Sequence, residues 1–207
     1  MNKYQTPQEQ FWAGEFGDNY IERNKGAKLL ASNLNFFTNA LTQIASFNSC
    51  LEFGANIGMN LKAIKLLFPN IEMKGIEINS IAANELAQNI GSENVFNESI
   101  FDFKTDTKVD LVLIKGVLIH INPDMLKVVY EKLYESSTRY ILIAEYYNPT
   151  PVNITYRGHE DKLFKRDFAG EIMDIYDDLT LIDYGFCYSR DRKFPMDDIT
   201  WFLLEKR

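Results

Sequence analysis

Residues 50–60 read CLEFGANIGMN. An apolar run ends in an acid, Glu52, and two glycines, Gly54 and Gly58, lead into a stretch with helical spacing. In open parallel sheets such a turn lies at the carboxyl ends of the strands, where glycine lets a ligand approach the backbone closely. The turn lacks the Gly-Lys-Ser/Thr ending of a phosphate loop, and Asn56 takes the place of the middle glycine in G-x-G-x-x-G. A pyrophosphate would also meet Glu52, whose carboxylate repels phosphate and attracts an ammonium or sulfonium.

Glu77 closes the next apolar run, IEMKGIEI, 23 positions after Gly54. An acid about 20 residues beyond a glycine turn is the usual acceptor for ribose hydroxyls. The two acids together ask for a nucleoside with a positively charged amino-acid tail, a description that S-adenosylmethionine meets. The plain alternatives are glycines that only permit a tight turn and a Glu77 that only caps the following helix.

Outward from the turn, short apolar runs alternate with helical patterns, the signature of βαβ units and a parallel sheet. SFNSCLEF and IEMKGIEI are expected as strands one and two, with a helix over Met59–Leu67 between them and a short third strand at residues 94–97. Ser80 is the expected cap of a helix over residues 80–90. VDLVLIK (109–115) and RYILIAEY (139–146) are continuous apolar runs suited to a sheet covered on both faces. The crossover helix between them opens with Asn122 and Pro123. LTLIDYGFCYSRD and DITWFLLEKR are β-rich and predict an antiparallel pair at one edge. Residues 1–45 predict a helical cap or lid with two helices, around TPQEQFWAGEFGDNYIERN and SNLNFFTNALTQIA, and residues 46–207 the sheet domain. Phe11, Trp12, Phe16 and Tyr20 at helical spacing fit packing against the sheet domain or a lid over the ligand.

At 207 residues, 46% of them hydrophobic, the chain suits one domain with a sizeable core. A net charge of −7 argues against a general nucleic-acid or anionic-membrane surface. No run approaches the roughly 18 apolar residues of a membrane span, and the amino terminus has no signal-peptide pattern. Cys50 and Cys187 lack disulfide-scaffold or metal-site spacing, so both are read as reduced, and a cytoplasmic protein without metal is expected. Oligomeric state is left open.

LEFGANIGMN, GIEIN, DLVLIKGVLIHINPD and the terminal strand pair together resemble the class I S-adenosylmethionine-dependent methyltransferases. Within that group QEQFWAGEFGDNYIERN, LEFGANIGMNL, AEYYNPTPV and YRGHEDKLFKRDFAGE resemble the pseudaminic acid biosynthesis-associated methylases. The resemblance implies a Rossmann-like, mostly parallel seven-stranded α/β sheet with an antiparallel terminal strand, helices on both faces, and a small sugar-related acceptor. It implies Glu52, Gly54, Asn56 and Gly58 around the methionine end, Glu77 on the ribose, Ile78 against adenine, and Ser99 and Ile100 at the adenine edge. Ser99 stands where the family frequently carries aspartate, so the resemblance assigns no partner to the adenine amine.

Methyl transfer rests on holding nucleophile and methyl group together away from water, and a base is needed only if the acceptor loses a proton. His120, after strand four, is a candidate base or substrate contact, or a histidine that orders the helix start. His159 is the second candidate base. It sits in YRGHEDKLFKR, where four basic residues face two acids; the bland reading is a solvated loop and helix start. Tyr146, Tyr156, Arg157 and Lys162 around it are candidate substrate contacts, the arginine for a carboxylate or phosphate. Lys115, after VDLVLI, is a candidate contact to cofactor or substrate, or a stem reaching solvent. Trp12, Tyr20 and Arg23 are candidates for a lid on the substrate, with Gly14 and Gly17 as its pivots. Two other functions stay in view: a non-catalytic S-adenosylmethionine-binding subunit of a glycan-synthesis complex, and a nicotinamide-dependent oxidoreductase, which Glu52 and the missing third glycine disfavour.

Overall fold

The computed structural model describes residues 4–104, 106 and 108–207. Its strands are β1 Ser49–Phe53, β2 Glu72–Ile76, β3 Val95–Phe96, β4 Val109–Lys115, β5 Ser137–Glu145, β6 Val152–Tyr156, β7 His159–Lys165, β8 Leu179–Phe186 and β9 Thr200–Lys206. The helices are α1 Pro7–Ala13, α2 Glu15–Ile21, α3 Ala27–Ala40, α4 Met59–Leu67, α5 Ser80–Ile90, α6 Leu126–Ser136 and α7 Phe168–Met173. None of the described helices is long and apolar enough to cross a membrane.

Seven strands form one sheet in the order β3-β2-β1-β4-β5-β9-β8, with β1 to β5 parallel and β9 antiparallel to both β5 and β8. The expected edge pair is therefore present, with the last strand on its inner side. Successive side chains point to opposite faces, so each central strand feeds two cores. Leu51, Val112, Ile114, Ile141 and Ile143 pack toward α6 and α7. Cys50, Leu111, Leu113, Leu142 and Ala144 share the other core with Phe36 and Phe37 of α3 and Leu61 and Ile64 of α4. Burying one such leucine contributes about 2 kcal/mol, which makes this double cover the fold's main support.

Three expectations need correction. The cap of α5 is Asn79, not Ser80: its Oδ1 accepts from Ile81 N and Ala82 N, both at 3.0 Å. The first amino-terminal helix breaks at Gly14 into α1 and α2. Its aromatic rings pack on one another and on His120, Tyr156 and His159 of the sheet domain, while α3 joins the sheet's core. Residues 157–166 are not a loop and helix start, because Val152–Tyr156 and His159–Lys165 form a separate hairpin. Arg157 (φ 52) and Gly158 (φ 84) make its two-residue turn, and two consecutive positive φ values give the twist that antiparallel strands favour.

Candidate ligand-binding site

A cavity of about 510 Å³ opens where the strand order passes from β1 to β4, at their carboxyl ends. Its floor comes from the segments that follow β1 to β4: residues 54–57, 77–79, 99–101 and 115–117. The glycine turn is tightly wound. Gly54 (φ 72), Asn56 (φ 49) and Gly58 (φ 82) are all left-handed, and a side chain at Gly54 would meet Val117 Cγ2 at 2.6 Å. Asparagine tolerates that region because its short side chain bonds locally, and here Asn56 Oδ1 accepts from Ile57 N at 2.7 Å.

Glu77 ties the turn to β2. Its Oε2 accepts from Asn56 N at 2.7 Å and its Oε1 from Asn79 N at 2.8 Å. Burial pushes its pKa up, against the pull of these backbone donors. Glu77 therefore does not cap α5; it lies in the cavity wall with Asn56 and Ile78.

Glu52 and Gly58 are not wall residues. Glu52 is 1% exposed beneath the turn, with Oε2 unpartnered and Oε1 accepting from Asn60 Nδ2 at 2.6 Å. Asn60 is the wall residue above it. Burial pushes Glu52 up to about 8, so at neutral pH it holds a proton and its expected attraction for a cation is muted. Gly58 serves as the left-handed start of α4.

Over the cavity lie α1 and α2. Glu9, Trp12, Tyr20 and Arg23 line it from above, while Lys115, His120 and Arg157 line it from the sheet and hairpin. Gly17 is no free pivot: a Cβ there would sit 1.9 Å from Trp12 O and 2.9 Å from Asn79 Nδ2. Asn79 Nδ2 also donates to Asp18 Oδ1 at 2.7 Å, fastening α2 to the start of α5. Three buried polar atoms of wall residues, Gln8 Oε1, Trp12 Nε1 and Asn33 Oδ1, have no protein partner. Unsatisfied buried groups are costly, so they mark where a polar ligand would be received.

His120 has a defined tautomer. Its Nδ1 lies 2.6 Å from Lys162 O, and a carbonyl only accepts, so Nδ1 carries the hydrogen and Nε2 keeps a lone pair. Burial lowers its pKa to about 4. Its ring centroid is 4.6 Å from that of Trp12. The other histidine is not in the cavity: His159 is exposed and packs its ring on Phe11 and Phe16. Tyr146, Tyr156 and Lys162 also stand outside the wall. Tyr156 packs its ring against that of His120, tilted by 56° with centroids 5.0 Å apart, and carries the Arg157 guanidinium over its ring at 5.6 Å, while burial and the nearby Asp197 raise the Tyr146 pKa. These side chains support wall residues from behind. Lys115, partly buried, is kept below the usual lysine pKa by burial, against the pull of Glu52.

Glu9, Asn33, Asn60, Asn79 and Asp197 are wall residues that sequence reasoning missed. Thr6 and Glu9 were legible as a capping box, a signal for a helix start and not for a site. The buried Glu145, whose Oε1 accepts from Val117 N and Leu118 N at 2.9 Å each, holds the segment after β4 and carried no motif.

Neither a protein-family model nor a curated protein matches the sequence. Solved structures do. The chain is similar over 97% of its length to 94% of the plantazolicin methyltransferase in complex with S-adenosylhomocysteine (16% identity, TM-score 0.66). It is similar over 96% of its length to 86% of the Burkholderia thailandensis 1,6-didemethyltoxoflavin-N1-methyltransferase with bound 1,6-didemethyltoxoflavin and S-adenosylhomocysteine (13% identity, TM-score 0.69). The magnesium protoporphyrin IX methyltransferase of Synechocystis PCC 6803 with bound S-adenosylmethionine matches over 100% of both chains (12% identity, TM-score 0.67). The fold is the Rossmann-like fold of these methyltransferases. In this methyltransferase fold the glycine turn, Glu77 and the segments after β3 and β4 share one cavity, and the amino-terminal helices α1 and α2 close its upper side.

Proposed function

We propose that the chain is an S-adenosylmethionine-dependent methyltransferase acting on a small, acidic, sugar-related acceptor of the pseudaminic acid type. The observation that carries the cofactor reading is Glu77, held by the backbone of Asn56 and Asn79 in the wall of the cavity. A carboxylate has about four acceptor sites, so two remain for a pair of ribose hydroxyls. The strained turn, with no side chain at Gly54, leaves room for the amino-acid tail beside Asn60. When bound, S-adenosylmethionine supplies a methyl group on an electrophilic sulfonium.

The chain's own residues would do the rest. Arg23, Arg157 and Lys115 bring three cationic side chains to a wall that also carries Glu9, Glu77 and Asp197, so an anionic acceptor group would have to be received at one of the three cations. His120 Nε2 is the base candidate, since the neutral ring offers its lone pair while Lys162 O fixes the other nitrogen. Trp12 and Tyr20 shield the site from water, which favours transfer over side reactions.

Calorimetric titration with S-adenosylmethionine, repeated with Glu77→Ala, tests this reading. Saturable binding that collapses in the variant is expected, followed by S-adenosylhomocysteine formation with acidic sugars. Binding without turnover on any acceptor would favour a cofactor-binding subunit instead. Absence of binding would overturn the proposal.

A further inference from the structure

Three carboxylates line the cavity: Glu77, Asp197 and Glu9. Glu77 stands at the end of β2, and Asp197 comes from the loop between β8 and β9, beside Pro195 and Met196. Glu9 comes from α1 and reaches Ser99, in the segment after β3. If Glu77 holds the ribose, the base attached to that ribose lies past Ile78, beside the same segment.

We infer that Glu9 reads the base, accepting the exocyclic amine of adenine and disfavouring a 6-oxo purine; this rests on the proposed S-adenosylmethionine site. Glu9 is 7% exposed, and its carboxylate is held from both sides. Oε2 accepts from Gln5 N at 2.8 Å, Thr6 N at 2.7 Å and Thr6 Oγ1 at 3.1 Å. Oε1 accepts from Ser99 Oγ at 2.5 Å, and that hydroxyl accepts from Phe101 N at 3.1 Å. The polarity of this chain is set: the Ser99 hydrogen is committed to Glu9, so the pair presents acceptor capacity, on Oε1, and no donor. An amine satisfies such a spot, whereas a carbonyl oxygen meets a carboxylate and is repelled. Gln8, the preceding residue, adds a second acceptor without a protein partner, its buried Oε1, while its Nε2 donates to Asp161 O at 2.9 Å. Base recognition therefore belongs to the covering helix as well as to the sheet, and ligand binding fastens α1 to the site.

Calorimetry of the full chain with S-adenosylhomocysteine and its 6-oxo counterpart, S-inosylhomocysteine, tests this. The unaltered protein should prefer the adenine form by roughly ten-fold or more, since a hydrogen bond to a charged group is at stake. Glu9→Gln, whose carboxamide offers a donor, should bring the ratio within about three-fold of parity by weakening the first ligand and strengthening the second. Thr6→Ala, which removes the cap hydroxyl and keeps the carboxylate, should retain the preference even if its melting temperature falls. Equal affinities in the unaltered protein, or a Glu9→Gln variant with an unchanged ratio, would overturn the inference and leave the cofactor reading standing. Failure of the unaltered protein to bind either ligand would overturn both.

Discussion

Asn60 Nδ2 donates to Glu52 Oε1 across 2.6 Å, linking a residue of the cavity wall to a carboxyl sealed beneath it. That bond favours the ionised carboxylate, yet burial outweighs it and carries Glu52 up to about 8. The acid under the glycine turn is thus a neutral packing group at physiological pH, coupled to the site through one amide.

The coupling has a measurable pH signature. Unfolded, Glu52 ionises near 4.5; folded, it keeps its proton to about 8, so the folded state binds the extra proton between those values. Stability should fall as pH rises through that window, by up to about 1.4 kcal/mol per pH unit for one such group. Glu145, pushed by burial to about 7, acts in the same direction, while His120, lowered to about 4, acts oppositely and only below its unfolded value of 6.5. Around pH 7 Glu52 dominates, while Lys206, lowered by burial to about 8, opposes it increasingly as pH 8 is approached. Denaturant titrations of Glu52→Gln should show a flatter profile there, and an unchanged slope would refute the assignment.

His120→Ala should lower turnover by ~10²–10⁴ while leaving cofactor affinity nearly unchanged, as loss of a base does. With the imidazole neutral down to about 4, the acid limb of the rate profile should lie well below pH 6. Exposed His159, replaced by alanine, should change the rate by no more than about two-fold. Equal losses from both substitutions would remove His120 from its role.

Gly17→Ala should destabilise the protein by about 1–3 kcal/mol, because the added methyl group meets the Trp12 backbone, which cannot yield as the Asn79 side chain beside it can. Since Gly17 lies where α2 meets Asn79, S-adenosylhomocysteine affinity should fall as well. A thermal melt and a titration suffice; a stable variant with full affinity would show that α2 has more freedom than its packing indicates.

Arg157→Gly separates backbone from side chain. Glycine adopts φ 52 without strain, so the hairpin should hold or gain about 0.5–1 kcal/mol, while KM for an acidic acceptor should rise roughly ten-fold with kcat nearly kept. An unaffected KM would place the acceptor's anion on Arg23 or Lys115 instead.

Much of this architecture was legible from period and composition. The bounds expected for α4 and β4 match, because a helix between Gly58 and Pro69 and a seven-residue apolar run are local patterns. The turn and Glu77 were legible for a similar reason: a left-handed glycine and an acid one βα unit later report on backbone geometry near in sequence. The hairpin at Arg157 was missed because its strands are largely exposed and polar, so no apolar alternation marked them.

What the amino-acid sequence determined by itself was the βα rhythm, the antiparallel terminal pair and the place of the glycine turn, all properties of segments a few residues long. Tertiary structure alone decided which side chains share the cavity. Glu52 sits two residues before Gly54 and is sealed away, while Glu9, 90 positions from Ser99, reaches its hydroxyl. Strand alternation turns neighbours to opposite faces, and chain packing brings distant residues together, so proximity in the sequence is a poor guide to proximity in the site.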